Sequence, residues 1–524
     1  MPTITCYDGV NNIGGNKILL EDGDTCLFFD FGTSFGRRYE FFEEYLKPRP
    51  GVGLLDLLYM ELLPPLNGIY RRDLVPHDDL WARVIASPHY RELAINGVLL
   101  SHAHTDHSGY VSFLGTDIPI YATAMTVFIA KAMQDSGQSD FEKEVCYANP
   151  RHLEDGVLKT QMRGCYLQRP FVFVDGCPES EEAKAFWNYS PAKTKALELC
   201  ASMVAADRIG ELPLRYFPVD HSVFGASAFA VETSAGWIGY TGDLRLHGSR
   251  GQHTERFIEA MRELQPLALI CEGTRIDAPS IGSGHRFRQV TESEVLTNAL
   301  QEVQRTSGLV VADFGPRNIE RLITFYHIAQ ETGRKLVILS KDAYLLEAMR
   351  LVSEQVPDIG SLSDILIYRD PKATLRTWEE KLRDKHSTKI VDATEVQANQ
   401  DEYILCFSFW DINDLIDIEP REGAYIYSSS EAYNEEQQMD LRRLRNWLGH
   451  FGMRFIGDPE GGEEGLHASG HASGAELLRL IREIRPKILI PVHTEYPEYF
   501  AAHFQGEGID VRLPKQGESI QLPS

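Results

Sequence analysis

The segment best equipped for chemistry is Ser101-His102-Ala103-His104-Thr105-Asp106-His107-Ser108-Gly109. Neutral imidazoles crowded this closely leave ring nitrogens unsatisfied unless something binds them. A divalent metal meets that need, and imidazole with carboxylate suits zinc. In extended backbone His102 and His104 point to one side, and the turn that follows lets Asp106 and His107 face a second position. Two ligand pairs from one loop point to two metal ions. Further donors follow expected strands: His221 in Val219-Asp220-His221-Ser222, Asp243 in Thr241-Gly242-Asp243 and His493 in Pro491-Val492-His493. Singly, each could be an ordinary polar residue. Together they share the C-terminal ends of strands, where ligand sites of α/β sheets gather.

The elements that must position these side chains are legible in outline. Residues 17–20 and 25–30 read as strands around Glu21-Asp22-Gly23-Asp24, and Gly14-Gly15 marks a tight turn. Strands are expected at 98–100, 118–121, 216–219, 226–233, 236–241 and 267–271. Between them, 127–215 is mixed, with helical pieces expected at 182–187 and 192–204. Residues 53–66 read as a buried or partly buried helix. After Glu272, helices at 290–306, 318–332 and 342–354 alternate with strands at 308–313 and 335–339. The pattern returns with strands at 402–407 and 424–428 and a helix at 434–451. Such alternation implies a parallel sheet with right-handed crossovers. A helix at 475–484 and a strand at 487–491 lead into His493.

Composition sets the frame. The chain has 524 residues, 43% hydrophobic and 24% charged, which excludes a collagenous, disordered or disulfide-dense protein and suggests two to four domains. No apolar run is long enough for a membrane span, and Met1 to Asn12 carries no signal-peptide pattern. Eight cysteines without a C-x-x-C pair suit reduced thiols in the cytoplasm. A net charge of −24 argues against a basic surface that coats nucleic acid, although bound metal ions would offset it locally.

With these motifs in order, the chain resembles the metallo-β-lactamase-fold hydrolases of the β-CASP branch, and within them the ribonuclease J family most closely. The HxHxDH signature is His102, His104, Asp106 and His107; the next two motifs are His221-Ser222-Val223 and Thr241-Gly242-Asp243. The first hairpin of these enzymes resembles Val10-Asn11-Asn12-Ile13-Gly14-Gly15-Asn16 and Asp30-Phe31-Gly32. The β-CASP motifs resemble Glu272-Gly273-Thr274, Ser469-Gly470-His471-Ala472 and Val492-His493-Thr494-Glu495-Tyr496.

The resemblance implies an α/β fold: a metallo-β-lactamase αββα sandwich with an inserted β-CASP domain of parallel-sheet type. The sandwich would comprise residues 1–275, with an extra insertion at about 127–215, and residues 459–524; the inserted domain would be 276–458. One ion would be held by His102, His104 and His221, the other by Asp106, His107 and His493, with Asp243 bridging. Zinc is the expected metal, manganese the alternative. Two such ions acidify a shared water and neutralise phosphoryl charge, with Asp106 orienting the nucleophile. The departing 3′ oxygen needs a proton, a role assigned to His471 with Glu272 holding its ring.

Ser469 and the amides around Gly470, that of His471 included, could hold a substrate phosphate. So could Arg317 or Asn318, which open a helix after a strand in Asp313-Phe314-Gly315-Pro316-Arg317-Asn318. The expected activity is a metal-dependent ribonuclease, acting from a 5′ end, internally, or both. The competing readings are a DNA nuclease of the same superfamily, a hydrolase of small esters, thioesters or lactones, and an inactive scaffold. His493 argues against the first of these, the full set of β-CASP motifs against the second, and retention of every ligand against the third. The 114 residues from His107 to His221 exceed what the resemblance requires. The chain ends about thirty residues after His493, so the longer relatives' C-terminal domain is expected to be absent, and any oligomer to form without it.

Overall fold

The computed structural model describes residues 1–523 apart from 44, 78, 139, 199–202, 277–288, 430–434 and 461–464. Two sheets stack face to face. Across the first, the strands run in the order Val204–Ala205, Phe171–Phe173, Ile120–Ala122, Gly97–Leu99, Thr25–Phe29, Lys17–Asp22, Thr3–Asp8 and Ser519–Gln521. Across the second, the order is Arg208–Ile209, Leu212–Pro218, Ser227–Thr233, Gly236–Tyr240, Ala268–Cys271, Ile488–Pro491 and Asp510–Val511. Because side chains alternate along a strand, Ile18, Leu20, Leu27 and Phe29 enter the layer between the sheets and meet Phe229, Val231, Ile238 and Ile490. Leu19 and Phe28 point the other way, into a core with Leu57, Val111 and Phe128. The outer face of the second sheet is covered by the helices Gly251–Leu264 and Gly474–Ile484, through Phe257, Met261, Leu477 and Ile481. The result is an αββα sandwich.

A third sheet is parallel throughout, in the order Ile390–Val391, Ile365–Tyr368, Lys335–Leu339, Tyr403–Leu405, Leu309–Asp313, Gly423–Tyr427 and Arg454–Ile456. It lies wholly between two strands that pair with each other in the sandwich: Ala268 stands opposite Ile488 and Cys271 opposite Pro491. The chain therefore leaves the sandwich after Cys271 and returns beside the same strand, which delivers Glu272 and His493 to one edge. Glu294 completes a capping box with Thr291 at the helix Glu292–Gln304, and Glu476 does so with Ser473 at Gly474–Ile484.

Two expectations change. No helix occupies the described residues of 192–204: Ala196–Glu198 pairs with Cys165–Gln168, and Val204–Ala205 pairs with Phe171–Phe173. Sheet pairing outweighs local helical preference there. In 53–66 the helix is only Leu55–Tyr59, ended by the left-handed turn at Glu61, φ 56°, after which Leu62 N and Leu63 N close onto the Leu57 carbonyl. Within 127–215, Phe171–Phe173 and Val204–Ala205 extend the first sheet. The helix Ala124–Ser136 sends Ile129 and Ala132 into a core shared with Tyr344 and Leu345 beside the third sheet. Among the described residues no helix is long and apolar enough to cross a membrane.

Candidate metal centre

The loop 101–107 leaves the strand Gly97–Leu99 in extended backbone and turns into the short helix Thr105–Ser108. The first hairpin cradles it. Gly15 N donates to the Asp106 carbonyl at 2.9 Å, Phe31 N to His107 at 2.9 Å and Thr33 N to Thr105 at 3.0 Å. Beside these contacts two positions leave no room for a side chain: a Cβ on Gly32 would stand 1.6 Å from the Asp106 carbonyl oxygen, and one on Gly14 would stand 2.8 Å from Asp106 Cβ. That close approach is what Gly14 and Gly32 supply.

Seven predicted ligands converge. His104 Nδ1 lies 3.1 Å from both His102 Nε2 and His221 Nε2. His107 Nε2 lies 3.2 Å from His493 Nε2 and 3.0 Å from Asp243 Oδ2, and His493 Nε2 lies 3.4 Å from Asp106 Oδ2. Asp243 sits between the two groups, with Oδ2 3.7 Å from His102 Nε2 and 4.0 Å from His221 Nε2. A tetrahedron with metal–nitrogen bonds of about 2.0–2.1 Å has edges of about 3.3 Å, close to these separations. The set fits divalent-cation binding on a further count. Asp243 Oδ1 is buried without a hydrogen-bond partner, an expensive state for a carboxylate unless a cation meets it.

The outer ring nitrogens are held in the tautomer ligation requires. His221 Nδ1 donates to the Gly470 carbonyl at 2.6 Å, and His107 Nδ1 donates to Asp30 Oδ2 at 2.7 Å. His102 Nδ1 pairs with Ser101 Oγ at 2.9 Å and His493 Nδ1 with Thr274 Oγ1 at 2.8 Å. His493 itself has φ 53° and Asp30 has φ 55°, a conformation that costs a non-glycine residue energy and here aims both side chains inward.

Electrostatics separates the two groups. Burial, then the neighbouring imidazoles, holds His102 and His221 well below the usual histidine range. Burial and Arg317 bring His104 down to about 3. These rings are neutral donors. At His107, burial is outweighed by the carboxylates of Asp243, Asp106 and Asp30, which favour positive charge at that point. Burial also works against ionised Asp106 and Asp243, yet the surrounding histidines hold both carboxyls below their ordinary range.

His471 stands beside this cluster, with Nδ1 3.8 Å from Asp243 Oδ2 and 3.1 Å from Glu272 Oε2. Glu272 is buried and fixed by Leu244 N at 2.9 Å and by Thr274 Oγ1 at 2.6 Å. Burial disfavours a charged ring, but Glu272 and Asp243 outweigh it and push His471 up to about 9.

The residues predicted to bind phosphate, besides His471, are placed differently. Arg317 donates to the Ala103 carbonyl at 2.8 Å and to Thr105 Oγ1 at 3.1 Å, against the metal-binding loop. Asn318 uses its side-chain oxygen to cap the helix Ile319–Thr332, accepting from Arg321 N at 3.0 Å. Ser469 Oγ accepts from His471 N at 3.2 Å, and Gly470 gives its carbonyl to His221. Sequence reasoning left Asp30 and Thr274 inside motifs without a role. The structure makes them the partners that orient His107 and His493. Their position just past a strand, in segments that also carry a glycine, was the available signal.

Comparison with known proteins agrees with this architecture. Residues 463–514 match the family described as a Zn-dependent metallo-hydrolase RNA specificity domain. The chain is 21% identical over 446 residues to ribonuclease J of Pyrococcus abyssi, covering 83% of each. It is 23% identical over 502 residues to ribonuclease J of Mycobacterium tuberculosis, covering 94% of this chain and 68% of the relative. With ribonuclease J of Helicobacter pylori it shares 20% identity over 511 residues, 96% of this chain and 57% of the relative. A crystal structure of a protein of unknown function from Enterococcus faecalis superposes with a TM-score of 0.66 at 22% identity, covering 99% of both chains. Fold and site together define a metallo-β-lactamase-fold protein with an inserted α/β domain. More particularly, the chain is ribonuclease J-like.

Proposed function

We propose that this protein is a metal-dependent ribonuclease that hydrolyses RNA phosphodiester bonds, from a 5′ end, internally, or both. The observation that carries this reading is the pair of donor groups around Asp243, His102/His104/His221 and Asp106/His107/His493, with the His471–Glu272 pair at their edge. The similarity to ribonuclease J of several organisms supports RNA as the substrate. In this reading residues 1–275 and 459–524 form the catalytic domain and 276–458 the β-CASP domain. The free thiols of the described cysteines are in keeping with a cytoplasmic protein.

Two divalent ions, zinc or alternatively manganese, would be held by those seven ligands; when bound they acidify water and neutralise phosphoryl charge. The chain's own residues do the rest. Asp106 is the most open ligand of the second group and orients the attacking water with its carboxylate. His471 donates from Nε2 to the departing 3′ oxygen, while Glu272 accepts Nδ1–H and keeps the ring charged until transfer. Arg317 reaches from the inserted domain to the metal-binding loop, where a substrate phosphate would take its guanidinium in exchange for the Ala103 carbonyl and Thr105 Oγ1. Ser469 and the Gly470 amide are the second phosphate contact.

The test is end-labelled RNA and DNA with 5′-monophosphate or 5′-triphosphate, incubated with zinc- or manganese-loaded protein and with His471→Ala and Asp106→Ala. RNA cleavage that falls about 10²–10⁴-fold in His471→Ala supports the assignment. Mononucleotide products mark exonuclease action and internal fragments endonuclease action. Cleavage of DNA in preference to RNA, or turnover of small esters alone, overturns it.

A further inference from the structure

Beneath the turn that carries His471 lie six charged side chains, five of them buried and Arg250 partly so, that the nuclease reading leaves unused. Arg245, two residues beyond Asp243, has no exposed surface. Its Nη1 donates to the Ser469 carbonyl at 3.0 Å and to Glu292 Oε1 at 3.0 Å, its Nη2 to Glu320 Oε2 at 2.5 Å, and its Nε lies 3.4 Å from Asp220 Oδ2. Arg321 continues the chain of charges. It forks onto Glu292 at 3.1 and 3.0 Å and donates through Nη1 to the carbonyls of Ser428 at 2.7 Å and Leu466 at 3.2 Å. Arg250 reaches the His221 carbonyl at 2.9 Å and lies 4.0 Å from Asp220. Three guanidiniums thus face three carboxylates.

Their places in the chain give the network its meaning. Asp220 precedes the ligand His221, and Arg245 follows the ligand Asp243. Glu292, Glu320 and Arg321 stand on the helices Glu292–Gln304 and Ile319–Thr332 beside the third sheet. The Leu466 and Ser469 carbonyls belong to the segment that returns to the sandwich and bears His471. Burying this many charges contributes little net stability. What rigid, forked guanidiniums do supply is fixed geometry between the groups they join. His247 Nε2 adds a second donor to the Ser469 carbonyl at 3.0 Å, so that carbonyl cannot move without breaking two bonds.

Building on the ribonuclease reading, we propose that Arg245 is a positioning residue for proton delivery. By gripping the Ser469 carbonyl it sets His471 at the departing oxygen, and through Glu292 and Glu320 it makes that placement depend on the seating of the inserted domain.

The test compares wild type with Arg245→Lys, which keeps the charge but cannot reach Ser469, Glu292 and Glu320 together. Turnover is measured on RNA and on bis(p-nitrophenyl) phosphate, whose leaving group departs without protonation. The expected result is a kcat on RNA lower by about 10- to 100-fold, with KM for RNA, zinc content and aryl-phosphodiester turnover within about twofold of wild type. Equal loss on both substrates, loss of zinc, or unchanged RNA turnover overturns the proposal. Hydrogen–deuterium exchange over 466–472 provides a readout without turnover, and faster exchange there in Arg245→Lys is expected. A wild type inactive on RNA would defeat the ribonuclease reading alone, and exchange over 466–472 would then decide the clamp. If Arg245→Lys does not fold, Glu292→Gln is read by the same criteria; failure of both to fold makes the network a folding element and refutes the positioning role.

Discussion

Replacing Asp30 by Asn isolates one consequence of the metal centre's second layer. Asp30 Oδ1 accepts from Ser101 N at 2.7 Å, while Oδ2 accepts from Ser101 Oγ at 2.7 Å, His107 Nδ1 at 2.7 Å and Tyr240 Oη at 2.6 Å. Asparagine tolerates the left-handed backbone at this position, so φ 55° is not the obstacle. With its oxygen kept on Ser101 N, the side chain presents an NH2 to the other three groups. The two hydroxyls can rotate and accept, but the imidazole cannot. His107 must give up its Nδ1 proton, which moves to Nε2, the atom that faces His493 and Asp243. A protonated Nε2 is no ligand. Loss of an outer partner of this kind lowers metal affinity about 10- to 100-fold, equivalent to about 1.4–2.8 kcal/mol. The opposite amide orientation sets N–H against the Ser101 N–H and costs about 1–3 kcal/mol of fold stability. The assay titrates zinc into metal-free protein against a chromophoric chelator, with thermal unfolding in parallel. Zinc affinity and melting temperature both at wild-type values would refute this account of the site.

Chelation should lower the melting temperature reversibly, because metal bound only by the folded state stabilises it by about 2.7 kcal/mol at a hundredfold excess over Kd; scanning calorimetry with and without added zinc checks this. Gly14→Ala should reduce RNA turnover and cost about 1–3 kcal/mol, since φ is +80° and the new methyl meets Asp106 Cβ. Gly23→Ala, also at positive φ but in open space, should leave turnover unchanged, and denaturant melts with RNA assays separate the two. Burial pushes both Asp313 and Asp342 up to about 7 from an ordinary value near 4. The folded state therefore holds protons that the unfolded state has released. The associated stability is complete below about pH 4 and is lost as pH rises through about 7, on the order of a few kcal/mol. Urea melts at pH 5 and pH 8 should show a smaller decline for Asp313→Asn with Asp342→Asn than for wild type.

Much of this protein is written locally. The short apolar, β-prone runs at 17–20 and 226–233 and the strand–helix alternation after Glu272 depend only on neighbours in the chain. The donor residues are equally visible, because histidines and aspartates placed just past strands are unusual enough to stand out. Tertiary structure decided the rest. Residues 196–198 and 204–205 became strands because Cys165–Gln168 and Phe171–Phe173 were there to pair with them, a preference no local window contains. The duty of Asp30 toward His107, and of Thr274 toward His493, exists only once residues 77 and 219 positions apart are brought within 2.7 and 2.8 Å. Arg245, Glu292 and Arg321 look like solvated surface charges in sequence. They are buried because each meets its opposite inside the fold, and charge complementarity across distant segments is a property of three dimensions.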